Sequence, residues 1–145
     1  MSTELLQIET VKYQNEIAAI AYIRTQVFQK EQGVSVELEF DGLDTDAIQF
    51  LAYLNGKAVA TARIREIDAD TVKIERLAVL PEYRRQGIGK QLMESALSVV
   101  SLDKSKAIVH AQEYIASLYQ QLGFEVVGER FSEAGIDHVK MVRQL

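Results

Sequence analysis

The stretch PEYRRQGIGK, residues 81 to 90, combines the residue types that bind phosphate groups. Its basic residues and glycines are Arg84, Arg85, Gly87, Gly89 and Lys90. Glycine lets the backbone come close to an anion, and the free N–H groups at the start of a helix point towards that anion. An arginine adds a forked donor that matches phosphate oxygens. The stretch therefore predicts a loop that binds a phosphate-bearing ligand.

The spacing of the loop excludes two common phosphate-binding motifs. A P-loop needs a glycine five residues before its Gly-Lys pair and a Ser or Thr after the lysine. Arg84 and Gln91 occupy those two positions. A dinucleotide-binding fingerprint needs a third glycine three residues after Gly89, where this chain has Leu92. What remains is an Arg-x-x-Gly-x-Gly pattern that opens a helix directly after an apolar strand.

Hydrophobic periodicity and turn residues predict the elements that position this loop. The predicted strands are 6–13, 47–54, 57–66, 71–80, 106–111, 124–131 and 137–145. The predicted helices are 16–33, 88–101 and 113–123. Their buried stripes are Ile17, Ile20, Ile23, Val27 and Phe28 in the first and Ile88, Leu92, Ala96 and Val99 in the second. Asn55-Gly56 predicts a tight hairpin, so strands 47–54, 57–66 and 71–80 form an antiparallel meander. The order of the predicted strands and helices along the chain indicates an α+β fold with a mixed sheet.

Composition narrows the class of protein. The 145 residues fit one domain, 1–145, and no apolar run approaches the ~20 residues of a membrane-spanning helix. The start of the chain lacks the features of a signal peptide, and there is no cysteine, so we expect a cytoplasmic protein. The net charge of −5 argues against nucleic-acid binding. We expect no metal site, because the chain has two separate histidines and no thiolate.

Two motifs resemble those of a known enzyme family. RLAVLPEYRRQGIGKQLM resembles the acyl-CoA-binding motif of the GCN5-related N-acetyltransferases (GNAT superfamily), with Arg84, Gly87 and Gly89 in its pattern positions. YQQLGFEVVGE resembles the second motif of the superfamily, a tyrosine four residues before Gly-Phe. IRTQVFQKEQGV and FSEAGIDHVKM are similar to the ElaA-like branch of small bacterial acetyltransferases. The resemblance implies the GNAT fold, a mostly antiparallel sheet of about seven strands with about four helices on its faces.

The resemblance implies that acetyl-CoA is the acyl donor. The residues that would bind it are Leu77, Ala78, Val79, Arg84, Arg85, Gln86, Gly87, Ile88, Gly89, Lys90 and Gln112. The diphosphate would lie on the backbone of residues 85–90, and the pantetheine arm would lie beside a splayed strand at residues 77–79. Gln112 stands where many relatives have an asparagine that contacts the cofactor.

The resemblance also implies catalytic roles for two residues. Tyr119 matches the general acid that protonates the leaving thiolate; the alternative is a helix tyrosine that only packs on the core. A base is useful because an alkyl amine with a pKa of ~10.4 is mostly protonated at neutral pH. Glu75 stands where relatives often have a catalytic glutamate, and the alternative is a strand carboxylate paired with a neighbouring arginine. The sequence leaves both alternatives open.

The acceptor would be a primary amine, which attacks directly in a ternary complex because the chain has no cysteine for a covalent acyl-enzyme. Residues 37–46 are rich in acid, so Glu31, Asp41 and their neighbours are candidates to bind a cationic amine; the alternative is a solvated acidic loop. His138 is a candidate for the acceptor pocket, and His110 is expected to be structural. We expect a small-molecule acceptor and a monomer or homodimer. The alternatives are a non-catalytic acyl-CoA sensor and an acetyltransferase of protein N-termini or lysines.

Overall fold

The computed structural model describes residues 5–145, which form seven strands and four α-helices. The strands are β1 (Leu6–Val11), β2 (Ile48–Leu54), β3 (Lys57–Glu66), β4 (Thr71–Val79), β5 (Lys106–Gln112), β6 (Glu125–Glu133) and β7 (Ile136–Gln144). The helices are α1 (Ile17–Arg24), α2 (Val36–Glu39), α3 (Ile88–Val100) and α4 (Ala116–Gln121). Residues 1–4, the start of the stretch that lacks signal-peptide features, lie outside the described residues. No helix in the described part of the chain is long and apolar enough to cross a membrane.

All seven strands belong to one mixed sheet with the order β1-β2-β3-β4-β5-β7-β6. Every neighbouring pair is antiparallel except β4 and β5, which are parallel. A parallel pair needs a crossover connection, and α3 lies within that connection. The predicted α+β fold is therefore confirmed, with the glycine-containing loop placed where β4 leads into the crossover helix.

Two hairpin turns contain consecutive residues with positive φ. Asn55 and Gly56 have φ of 52° and 84° between β2 and β3. Ala134 and Gly135 have φ of 53° and 76° between β6 and β7. Positive φ at both central residues is the type I′ geometry, whose twist matches that of the flanking strands. The first turn confirms the hairpin that Asn-Gly predicts.

Helices cover both faces of the sheet. One cluster of buried side chains packs α3 and α4 against Phe50, Ala52 and other strand residues. A second cluster packs α1 and the helical turns after it against Leu51, Ala78 and Leu80. Because neighbouring residues of a strand point to opposite faces, β2 must be apolar on both. This explains why its sequence shows no polar alternation.

Three details of the predicted helices differ in the structure. The stripe of α3 ends at the buried Val100, whereas the predicted Val99 is 40% exposed, because steps of four residues from Ile88 lead to position 100. Ile17, predicted to be buried, is 45% exposed at the first turn of α1. The helix predicted over 16–33 changes at Thr25 to π-helical geometry, which continues to Glu31.

Candidate active site

The parallel strands β4 and β5 separate halfway along their length. They pair from Thr71 to Ile74 on β4 and from Lys106 to Val109 on β5. Beyond these residues β5 stays paired with β7 up to Gln112, and β4 stays paired with β3 up to Val79. The facing edges of the two central strands therefore diverge, which opens a gap in the middle of the sheet.

A β-bulge on β4 lies at the start of this gap. Thr61 of β3 pairs with Ala78, but Arg63 pairs with Glu75, so β4 has one extra residue between the two pairs. Arg76 within the bulge has a φ of 60°, which is rare for a residue other than glycine. A bulge bends its strand and re-aims its side chains. Here it accompanies the divergence of β4 from β5, a feature that strand periodicity does not predict.

The first of two clefts at the gap has a volume of about 310 Å³ and contains the glycine loop. All of the predicted cofactor-binding residues line it except Gln86 and Gln112. Gly87 is the N-cap of α3 and has a φ of 78°, and no side chain of the described residues caps this helix end. The N–H groups of the first turn are therefore free to bind an anion, and Arg85 and Lys90 add positive charge. We call this cleft the cofactor cleft.

The side chain of Arg84 is already engaged beside this cleft. Its Nη1 and Nη2 each lie 2.5 Å from a carboxylate oxygen of Glu31, and its Nε donates to the carbonyl of Val79 at 3.0 Å. Arg84 thus ties the glycine loop to the end of the π-helical turn. Glu31, a predicted acceptor-binding residue, therefore lies beside the cofactor cleft. It does not line the second cleft, which is described next.

The second cleft, which we call the acceptor cleft, has a volume of about 330 Å³. Its lining includes six predicted site residues: Asp41, Glu75, Leu77, Gln112, Tyr119 and His138. Leu77, Tyr114 and Ile115 line both clefts, so the two adjoin at the gap between β4 and β5. The structure therefore brings Glu75 and Tyr119, which are far apart in the chain, into one cleft that adjoins the predicted cofactor loop.

Tyr119 lies on α4 and is 2% exposed. Its ring packs edge-on against Phe124 at 5.5 Å, and its hydroxyl lies 4.0 Å from the sulfur of Met93. Burial raises the pKa of this phenol above its usual value of 10.0. The hydroxyl therefore keeps its proton at neutral pH, as a general acid must, while the ring also packs on the core.

Glu75 lies on β4 with its carboxylate among three cations. Arg65 Nε is 2.5 Å away, Arg63 Nη2 is 3.1 Å away and Lys73 Nζ is 3.5 Å away. Burial alone raises the pKa of Glu75, but the hydrogen bond from Arg65 and the charges of Arg63 and Lys73 outweigh it, so the pKa lies below its usual value. A carboxylate held in its charged form is a weak proton acceptor. The geometry supports the ion-pair alternative.

Two carboxylates of the acidic segment 37–46 are buried, whereas Glu37, Asp41 and Asp46 are exposed, so the alternative of a solvated acidic loop holds for only part of the segment. Glu39 and Asp44 are 2% and 4% exposed, and both bind Arg24, which is 1% exposed. Asp41 receives two hydrogen bonds from Arg63, at 3.0 and 2.8 Å, and these lower its pKa. The desolvation of these carboxylates is offset by buried arginines that come from other elements.

Sequence reasoning missed the arginines of this network, although a signal existed. Arg24 follows Ile23 within the buried stripe of the first helix, and Arg63 lies in the central strand β3 and is 0% exposed. A charged residue at a position where periodicity predicts burial indicates a buried partner. Arg76, which donates to the carbonyls of Leu38 and Glu39, has no such signal.

Polar groups of distant segments also meet in the acceptor cleft. Gln112 exchanges two amide hydrogen bonds with Gln32, at 2.9 and 3.1 Å. Glu133, which the sequence analysis did not single out, lies between His110 and His138. Within residues 5–145, no group of three or more His, Asp or Glu side chains is arranged to hold a metal ion.

Comparisons with known proteins identify the family. The sequence model of the acetyltransferase (GNAT) domain matches residues 10–145. The uncharacterized N-acetyltransferase YjcF of Bacillus subtilis is 33% identical over 135 residues, which cover 91% of this chain and 95% of that protein. The crystal structure of Escherichia coli ElaA is similar with a TM-score of 0.84 and 29% identity, over 96% of this chain and 99% of that one.

A more distant structure shares the fold. It is a GNAT family acetyltransferase from Elizabethkingia anophelis with acetyl-CoA bound, at a TM-score of 0.77 and 20% identity over 97% of this chain and 98% of that one. The family model matches most of this chain. The matched residues include the divergent strands β4 and β5, the bulge on β4 and the glycine loop before α3. The resemblance seen in the sequence is confirmed, and the chain belongs to the GNAT acetyltransferase family.

Proposed function

We propose that this protein transfers an acetyl group from acetyl-CoA to a primary amine of a small molecule. The observation that carries the proposal is the junction of the two clefts at Leu77. An anion-binding loop lies on one side of this junction, and a cleft lined by Tyr119 lies on the other. Membership of the GNAT acetyltransferase family supports the same reaction.

The cofactor cleft fits the diphosphate of a coenzyme. The uncapped N–H groups of Ile88, Gly89 and Lys90 would hold it, with the side chains of Arg85 and Lys90. A Cβ added at Gly89 would lie 3.5 Å from a side-chain carbon of Val79, an ordinary van der Waals contact, so the loop packs on β4 at this position. Acetyl-CoA supplies an activated thioester. The edge of β4 at residues 77–79, which β5 leaves unpaired, is available to the pantetheine arm.

The acceptor cleft favours a small polar substrate. Its volume of about 330 Å³ is at the lower end of small-molecule sites. Asp41, Gln112 and His138 place polar groups on its wall, so hydrogen bonds can orient an amine. The carboxylate of Asp41 is already bound to Arg63, so it would contribute an oxygen rather than an unpaired charge.

Tyr119 would act as the general acid. It holds a proton through the neutral range because a phenol ionises only near pH ~10 and burial raises its pKa further. It lies next to the junction, one helical turn after Ile115. The amine would attack the thioester directly, since the sequence contains no cysteine to carry the acetyl group. The leaving sulfur would take its proton from the phenol.

Free thiol release measures this reaction on a panel of amino acids, polyamines, amino sugars and aminoglycosides. For an acceptor that is turned over, Tyr119→Phe should lower kcat about 100-fold, because the acid is lost. Calorimetry should give an unchanged affinity for acetyl-CoA. Tyr22→Phe, at a residue of α1 that is 54% exposed, is the matched control and should behave as the wild type.

Two results would contradict the proposal. If the wild type binds acetyl-CoA but releases no thiol with any amine, the protein is a non-catalytic acyl-CoA sensor. If calorimetry detects no binding of acetyl-CoA, the cofactor cleft binds a different ligand.

A further inference from the structure

A carboxylate in the acceptor cleft lies between two imidazoles. Glu133 Oε1 is 3.2 Å from His110 Nδ1, and Glu133 Oε2 is 3.7 Å from His138 Nε2. Both rings pack against Phe131, that of His110 edge-on at 5.1 Å and that of His138 nearly parallel at 5.8 Å. His110 comes from β5, Glu133 from β6 and His138 from β7, and all three line the cleft.

The hydrogen bonds determine which nitrogen of each neutral ring carries the proton. A carboxylate only accepts, so His110 donates through Nδ1–H to Glu133 and its Nε2 has a free lone pair. Nε2 of His110 has no hydrogen-bond partner among residues 5–145. His138 donates through Nδ1–H to the carbonyl of Ile136 at 2.7 Å, so its Nε2 faces Glu133. Only His110 has its open nitrogen directed away from the carboxylate.

His110 and Glu75 occupy equivalent positions on the two edges of the gap. Ile74 and Val109 are the last paired residues of β4 and β5, and Glu75 and His110 follow them. Glu75 is held by Arg63, Arg65 and Lys73. His110 instead has a carboxylate partner, and its side chain is 26% exposed to the cleft.

The charged groups around His110 come from each strand beside it. Glu133 lies on β6, and Lys140 and His138 lie on β7, with Lys140 directly opposite His110 in the register. Glu75 lies on β4. A carboxylate on Nδ1 orients an imidazole and stabilises it when Nε2 takes a proton, as in hydrolytic triads.

We propose that His110, positioned by Glu133, accepts the proton that activates the acceptor amine; this inference rests on the proposed function. The ammonium of the acceptor gives one proton to His110 Nε2, and that proton later leaves to solvent. The freed lone pair forms the C–N bond with the thioester carbon. As the C–S bond breaks, the sulfur takes a proton from Tyr119, and the second proton of the attacking nitrogen restores the phenol. Glu133 is a positioning residue.

Acceptors of different basicity test this role. With a basic alkyl amine, His110→Gln should lower kcat/KM about 100-fold, because the amine must then lose its proton unaided. With an O-alkyl hydroxylamine, which is neutral at the assay pH, the same variant should lose only a few-fold. The affinity for acetyl-CoA measured by calorimetry should stay the same.

Two further variants distinguish the proposed base His110 from a residue that positions it and from a residue that only packs beside it. Glu133→Gln should weaken turnover of the basic amine about tenfold and shift the pH profile of kcat/KM, since the imidazole loses its carboxylate. His138→Gln should affect the basic and the neutral acceptor equally. The role of His110 is refuted if His110→Gln lowers kcat/KM equally for both acceptors. It is also refuted if Glu75→Gln, rather than His110→Gln, gives the loss that depends on the basicity of the acceptor. In either case the acetyltransferase activity stands.

The protonation of the rings gives a readout that needs no turnover. Histidine 15N spectra of the wild type should show His110 protonated at Nδ1 and free at Nε2, and Glu133→Gln should change this tautomer balance. A His110 ring protonated at Nε2 would overturn the inference. Absence of thiol release from the wild type on every amine would overturn it together with the proposed function, and the acetyl-CoA calorimetry then shows whether cofactor binding or catalysis is missing.

Discussion

The cofactor cleft and the acceptor cleft meet at Leu77 but are built differently. The charged loop of the cofactor cleft comes from one short stretch, residues 84–90, and offers mainly backbone N–H groups and cations. The acceptor cleft takes its polar groups from β4, β5, β6 and β7 and from the segment around α2. Its carboxylates are mostly bound by arginines before any substrate arrives.

The two clefts differ in how many elements must be in place before a ligand can bind. A diphosphate can be bound by a helix end and a few cations, a device contained within one loop. An acceptor is chosen by a wall assembled from several elements, and each wall residue must be held by others. Buried arginines beneath the wall hold it here, so the acceptor cleft depends on the integrity of the whole network.

Loss of Arg63 should have the largest effect, a loss of stability that leaves the cofactor cleft intact in the molecules that stay folded. Arg63 is 0% exposed and binds Asp41, Asp44 and Glu75, so Arg63→Met leaves three carboxylates without this cation. We expect the free energy of unfolding to fall by about 3–5 kcal/mol. Urea unfolding measures this loss, and calorimetry at low temperature should still detect acetyl-CoA binding by the folded fraction.

An exposed ion pair provides the control for Arg63. Arg130 binds Glu113 at 2.8 Å, and their side chains are 60% and 44% exposed. Arg130→Met should change the unfolding free energy by less than about 1 kcal/mol. Equal losses in the two variants would mean that the acceptor wall does not depend on its buried charges.

The sequence predicted most of the fold because its signals are local. The Asn55-Gly56 turn predicts the first hairpin of the meander without tertiary information. The cofactor loop is predicted for the same reason. The bulge at Arg76 and the change to π-helix at Thr25 are not, because they follow from packing against distant segments.

The acceptor cleft was predicted only in part. Glu75, Tyr119 and His138 were picked out by family resemblance, and the structure places all three in the lining. The ion pairs of Glu75 and the contact of Glu133 with His110 join residues that are far apart in sequence. Periodicity indicates that Arg24 and Arg63 are buried, but it does not indicate which carboxylates they meet.

The pH should have a smaller effect on the unfolding free energy, through Asp41 in the lining of the acceptor cleft. The hydrogen bonds from Arg63 lower the pKa of Asp41 in the folded protein. The stability that this carboxylate contributes is therefore present above its unfolded pKa of ~3.9 and lost as the pH falls towards its folded pKa. Asp41→Asn should reduce the slope of unfolding free energy against pH below pH ~4 by up to ~1.4 kcal/mol per pH unit.

The double variant tests the cause of that slope. In an Arg63→Met background, Asp41→Asn should change the slope little, because the main cause of the lowered pKa is already absent. Urea midpoints collected at several acidic pH values give both slopes. Parallel curves for the wild type and Asp41→Asn would show that Asp41 adds nothing to the pH dependence.

A substitution in the cofactor loop should have the smallest effect, a weaker binding of acetyl-CoA with no change in the acceptor cleft. Gly87 has a φ of 78°, and a Cβ there would meet only Gln91 Nε2 at 3.9 Å, so Gly87→Ala costs backbone strain of about 1 kcal/mol without a clash. The free loop of the variant should relax to a conformation without this strain, and acetyl-CoA binding must then restore the strained one. The affinity for acetyl-CoA should therefore fall about fivefold. Gly56→Ala, at a φ of 84° with open space around it, has similar strain but lies in the β2–β3 turn. Calorimetry should therefore find the affinity unchanged in that control, and an equal loss in both variants would show that the loop backbone does not bind the coenzyme.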